Sequence, residues 1–150
     1  METILHASSG RETKVNRAIY PMLGILLLAT ALRLYHLVGQ SLWYDEGFSI
    51  FLARLPLKEM VAWTAQDIHP PLYCSLLHFW IRICGDSAFS VRALSVLGSL
   101  VGIALAYRLA RHLGDTTAGL LLALFIAFGP LFIYYAQETR MYAILTTLSL

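Results

Sequence analysis

Charge is scarce along this chain. Aspartate, glutamate, lysine and arginine make up 13% of its 150 residues, where soluble domains run nearer a quarter. The formal net charge of +2 leaves out the strongly basic surface that a nucleic-acid partner requires. Cysteine is rarer still. Cys74 and Cys84 fall in one apolar segment; if that segment is a helix they sit about 15 Å apart, too far to bridge, and read as small hydrophobes. There is no repeated unit, no zinc-like Cys/His spacing and no glycine-rich phosphate loop. What fills the chain is apolar: 58% hydrophobic residues, with a mean hydropathy of +0.66. That balance indicates an integral membrane protein.

Three stretches are long enough to span a bilayer. Residues 18–38 give about 20 residues, enough for a hydrocarbon core of roughly 30 Å. Arg11, Lys14 and Arg17 precede this stretch, Pro21 falls in its first turn, and Arg33 is placed to snorkel beside Tyr35 and His36. No small-residue cleavage site follows, which argues against a signal peptide. Residues 88–110 carry Arg92 and Arg108 at their ends and Ser95, Gly98, Gly102 and Ala106 along one face, suited to close helix contact. Residues 117–135 contain Gly129-Pro130, which predicts a kink, and end on Tyr134 and Tyr135, an interfacial belt. A fourth apolar stretch starts at Met141 and is truncated at Leu150.

The loop between the first two spans holds shorter patterns. From Pro71 to Cys84 the chain covers roughly 21 Å as a helix, short for a span, with Ser75, His78 and Arg82 on one polar stripe. This predicts an interfacial helix over 71–84. Two more are predicted within 46–64: one presenting Phe48, Phe51, Leu52 and Leu55, the other Leu57, Met60, Val61 and Thr64. The fold class is all-α integral membrane: three transmembrane helices plus a truncated fourth, with interfacial helices in the first outer loop.

That topology puts Asp45, Glu46, Asp67, His69, Glu138 and Arg140 on one side and Arg108, Arg111 and His112 on the side of the N-terminus. The positive-inside rule then places the N-terminus in the cytoplasm. Counts alone do not decide it. Five Lys/Arg (11, 14, 17, 108, 111) fall inside and six (33, 54, 58, 82, 92, 140) outside. The inner ones sit in far shorter segments, and the outer ones share their space with six of the nine acids.

The stretch SLWYDEGFSI sets two adjacent carboxylates in this outer layer. Partial desolvation there favours the neutral form and raises proton affinity, a useful trait in a general base acting on a hydroxyl. Asp45 also stands where an N-cap would for a helix starting at residue 46, and both readings remain open on the residues alone. Arg140, with Arg92, is a cation available to a phosphate. Glu138 pairs with Arg140 or orients a substrate. Asp67, His69 and Glu138 are chemically able to hold a divalent metal, but no ligand spacing supports one.

LRLYHLVGQSLWYDEGFSIFLAR, DIHPPLYCSLLHFWIRICGDSAFSVRALS and YYAQETRMYAIL, in this order, resemble the N-terminal third of bacterial GT-C superfamily glycosyltransferases. The closest kin are the enzymes related to protein O-mannosyltransferases and lipid A aminoarabinose transferases. The resemblance covers nearly all of residues 30–150. It implies that residues 1–150 are the N-terminal portion of a single transmembrane glycosyltransferase domain. The implied reaction takes a sugar from a polyprenyl-phosphate donor, at the outer face of the cytoplasmic (inner) membrane, to a lipid, glycan or protein acceptor. Catalytic roles are implied for Asp45, as base, and Glu46. Substrate-binding roles are implied for Asp67, His69, Glu138, Arg140 and Tyr142. No cofactor is required. Members are several times longer, so this chain alone is expected to be inactive without its C-terminal spans.

Two other classes compete. A transporter or flippase module for lipid-linked sugars places ionisable groups near the bilayer midplane; here the span centres lack charge and the acids lie in the outer layer. A non-catalytic accessory membrane protein has no motif in its favour.

Overall fold

A computed structural model describes residues 2–66 and 70–150, with side chains from Ala18 onward. The described residues form helices only: α1 Glu2–Leu34, α2 Tyr44–Arg54, α3 Leu57–Thr64, α4 Pro71–Cys84, α5 Ala88–Leu113, α6 Thr116–Phe128, α7 Pro130–Ala136 and α8 Tyr142–Leu148. Among them, α5 alone is long and apolar enough to cross a membrane by itself. The pair α6 and α7 qualifies together, bent by 62°, and the apolar part of α1, Ala18–Leu34, is shorter.

Local chemistry sets these boundaries. Ser87 and Asp115 cap α5 and α6, accepting from Ser90 N at 3.2 Å and Ala118 N at 2.7 Å. The first span was expected to run to residue 38, but α1 stops at Leu34. His36 takes a left-handed φ of 56°, a conformation that ends a helix and that histidine tolerates better than most residues. Gly85 takes φ 79° after α4. Gly129-Pro130 does more than kink the third span. Pro130 has no N–H to give Ile126, so the ladder is interrupted and two helices result.

Two apolar clusters hold the molecule together. In one, Ala18, Met22 and Ala29 of α1 pack with Ile103 and Tyr107 of α5 and Ala123 and Ala127 of α6. Because Ala18 and Met22 lie near Tyr107 while Arg92 reaches Leu37, α1 and α5 run antiparallel. In the other, Ile50, Leu52 and Ala53 of α2 pack with Met60, Tyr73, Cys74, Leu77 and Val91. The inward face of α2 therefore runs through Glu46, Ser49, Ile50, Leu52 and Ala53; of the expected Phe48–Phe51–Leu52–Leu55 face, Leu52 is buried, Phe48 and Leu55 pack at its edge and Phe51 is exposed. In α3 only Met60 and Thr64 turn inward, while Leu57 and Val61 are exposed. The polar stripe of α4 is split: His78 is buried with Nδ1 2.8 Å from Ala53 O, and Arg82 is exposed.

The small-residue face of α5 meets α8. A Cβ on Gly98 would lie 2.9 Å from Ile144 Cγ1, and one on Gly102 would lie 2.6 Å from Thr147 Oγ1. That hydroxyl donates to the Gly98 carbonyl at 2.9 Å. Gly102→Val should therefore push α8 away, at a cost of about 1–3 kcal/mol. Detergent melting of the full-length protein checks this; an unchanged melting temperature would contradict the contact.

Candidate active site

At the start of α5, beside the cluster that holds Val91, the side chains of the acid pair take different partners. Glu46 is fully buried. Its Oε1 accepts from Arg92 Nε at 2.9 Å and Thr139 N at 2.8 Å, and its Oε2 accepts from Arg92 Nη2 at 2.7 Å and Trp43 N at 3.1 Å. A carboxylate offers about four acceptor sites, and all are in use. Arg92 is likewise saturated. Besides Glu46, it donates to the carbonyls of Leu37 (2.7 Å), Gln40 (3.0 Å) and Ser41 (3.3 Å), which uses all five of its N–H groups. Arg92 thus has no donor left for a phosphate.

This arrangement corrects the expected electrostatics of Glu46. Burial pushes its pKa up, but the Arg92 guanidinium and the N–H groups of Thr139 and Trp43 outweigh burial and hold it below the usual carboxylate range. Glu46 also occupies the third position of α2, where it reaches back to the Trp43 N–H as one arm of a capping box. Asp45 is inside the first turn and is not the N-cap; the cap position is Trp43.

Asp45 is open. Its side chain is 54% exposed and pairs with Arg140, Nη2 to Oδ2 at 3.2 Å, itself 28% exposed. Arg140 was expected to pair with Glu138. The side chains do not pair, and the two residues are joined instead by Arg140 N donating to Glu138 O at 2.9 Å. The Tyr142 ring lies under the guanidinium, 5.2 Å from Cζ to centroid, and is supported by Tyr135 at 4.8 Å.

Glu138 points elsewhere. With His36, Gln40, Trp43, Arg92, Tyr134 and Gln137 it lines a cleft of about 370 Å³. Its Oε2 is buried with no hydrogen-bond partner, as are Thr139 Oγ1 and the Tyr73 hydroxyl. Tyr73 borders a small gap beside Arg140, Ser49 and Met141, and burial pushes its pKa up. Asp67 and His69 lie outside the described residues, and with them the possible Asp67–His69–Glu138 ligand set.

So the fold brings Asp45, Glu46, Glu138, Arg140 and Tyr142 to one end of the bundle. The sequence reading missed the roles of Arg92, Thr139, Gln137 and Tyr73. Tyr73 closes the HPPLY motif. Arg92 had a legible signal, since an arginine on the inward face of an apolar helix needs a buried anion or a set of carbonyls to take its N–H groups.

Among the described residues the molecule is all-helical, with one helix long and apolar enough to cross a membrane and a carboxylate–arginine cluster at its helix ends. A family model described as dolichyl-phosphate-mannose-protein mannosyltransferase matches residues 68–150. The chain belongs to this family, which is of the GT-C glycosyltransferase type. The matched stretch carries Arg92, Glu138, Arg140 and Tyr142 and begins after the acid pair. No curated protein and no solved structure matches the chain.

Proposed function

We propose that the protein transfers a sugar from a polyprenyl-phosphate carrier to a hydroxyl acceptor at the outer face of the cytoplasmic membrane, with Asp45 as base. The observation that carries this reading is the division of labour in the acid pair. Glu46 and Arg92 have spent every acceptor and donor on each other and on backbone, whereas Asp45 is half-exposed and Arg140 partly exposed.

The acceptor oxygen attacks the anomeric carbon as its proton passes to Asp45. The bond from that carbon to the phosphate oxygen breaks, and its electron pair leaves with the polyprenyl phosphate. Arg140, steadied by Tyr142, is the cation with capacity for the charge that develops on the leaving phosphate. The cleft beside Glu138 offers what a sugar ring uses: the exposed Trp43 ring, Tyr134 and an unpartnered carboxylate oxygen. Among the described residues, the arginine that lines it, Arg92, has no donor left, so the cleft suits a neutral polyol. Asp67 and His69 add substrate contacts by family resemblance. The sidedness rests on the antiparallel α1 and α5, which return Arg108, Arg111 and His112 to the end of the bundle where α1 begins. In this reading α1, α5 and the α6–α7 pair are the spans, α8 belongs to a fourth, and α2–α4 lie in the interface.

The test is transfer by the full-length protein in vesicles supplied with radiolabelled polyprenyl-phosphate mannose. The expected result is label moving to a hydroxyl-bearing acceptor with release of polyprenyl phosphate. Translocation of intact donor, without cleavage, would instead make the protein a flippase.

A further inference from the structure

Arg33 does not snorkel. It is fully buried at the end of α1 and is held among the described residues by a hydroxyl and carbonyls. Four of its five N–H groups are spent inside the bundle: Nε on Ser99 Oγ (2.9 Å), Nη1 on Ala29 O (3.3 Å) and Ala127 O (3.1 Å), and Nη2 on Ile126 O (3.1 Å). Three of these are ordinary packing contacts of a buried guanidinium. The bond to Ile126 is different. Ile126 O is the carbonyl that Pro130 cannot serve, because proline has no N–H. A cation at the C-terminal end of α6 also meets the negative end of its dipole. Arg33 therefore completes the broken end of α6 from a neighbouring helix.

The tie runs in both directions. Gln137, at the end of α7, shares its two Nε2 hydrogens among Leu32 O (3.4 Å) and Arg33 O (3.1 Å), in the last turn of α1, and Tyr35 O (2.8 Å), just beyond it. The end of α6 is capped from α1, and the end of α1 is capped by the residue that follows α7. The segment that follows Gln137 supplies Thr139 N to Glu46 and Arg140 to Asp45.

We propose that Arg33 is a positioning residue for the transfer reaction: it holds the 62° bend between α6 and α7, and the bend aims the 137–140 segment at the acid pair. This rests on the transferase reading above. Arg33 acts through Gln137, Thr139 and Arg140 and touches no substrate.

The experiment uses Arg33→Met in the full-length protein, with two readouts. The first is turnover of polyprenyl-phosphate mannose, with kcat and KM taken separately. A misplacement of about 1 Å can cost on the order of 100-fold, so the expected kcat loss is about 10–100-fold, with donor KM less affected. The second is the distance between spin labels on Phe51 of α2 and Leu131 of α7, both exposed, in a cysteine-free background. It should shift or broaden. Arg33→Lys keeps the charge but cannot reach all four acceptors. It should fall between wild type and Arg33→Met on both readouts, and it takes the place of Arg33→Met if that protein fails to accumulate. Wild-type kcat, or reduced kcat with an unchanged label distance, overturns the proposal. If wild type itself does not transfer sugar, the transferase reading fails and the catalytic proposal with it, while the label distance still reports whether Arg33 holds the bend.

Discussion

Arg92→Met is expected to be the most destabilising single change on this chain outside its glycine contacts. It leaves Glu46 buried without its cation and orphans the carbonyls of Leu37, Gln40 and Ser41. Removing one partner of a buried pair costs about 3–5 kcal/mol, a large share of the 5–15 kcal/mol that folded domains typically have. Glu46→Gln keeps the shape and should cost less, about 1–3 kcal/mol. Because the folded pKa of Glu46 is depressed, its contribution is fully present above the unfolded carboxylate value of about 4.3 and is lost as pH falls through the folded value. Detergent melting of wild type and Glu46→Gln between about pH 3 and 7 checks the sign. Wild type should lose its advantage over Glu46→Gln on the acid side, and an advantage that grows toward low pH would contradict it.

Asp45→Asn should do the reverse, with a large effect on turnover and little on stability. Asn has nearly the same shape, and no cap is lost because the N-cap position is Trp43. What disappears is a half-exposed ion pair with Arg140, a contact usually worth under about 1 kcal/mol. Asparagine cannot take a proton, so general-base catalysis, typically about 10²–10⁴-fold, is removed. Glu46 cannot substitute, since its acceptor sites are filled and its charge is locked to Arg92.

The element pattern was legible where local rules act alone. The helix Pro71–Cys84 falls on its predicted bounds, and α5 starts at residue 88 as the apolar pattern predicts. The Gly129-Pro130 break shows in both sequence and structure, because a missing N–H needs no tertiary context. What was not legible depends on partners distant in sequence. Hydrophobic periodicity put Phe51 on the inward face of α2, where it is exposed; the true face also takes in Glu46, which reads as exposed until Arg92 is brought against it. Arg33 and Gln137 look like surface residues for the same reason, as their acceptors are carbonyls about a hundred positions away.

The candidate site followed the same division. Asp45, Glu46, Glu138, Arg140 and Tyr142 could be picked out by residue type and motif, but their pairing could not. Glu138 and Arg140 are near neighbours in sequence and face different partners. The backbone N–H of Thr139, which completes the shell of Glu46, carries no signature in its side chain.

The central claim is that Asp45, and not its buried neighbour, takes the acceptor proton. Single-turnover transfer at saturating polyprenyl-phosphate mannose by full-length Asp45→Asn, beside wild type and with melting as the folding control, tests it most directly. The account predicts an unchanged melt and a rate lower by about 10²–10⁴-fold. A folded Asp45→Asn protein that transfers within a few-fold of wild type would contradict it and leave Asp45 as no more than the resting partner of Arg140.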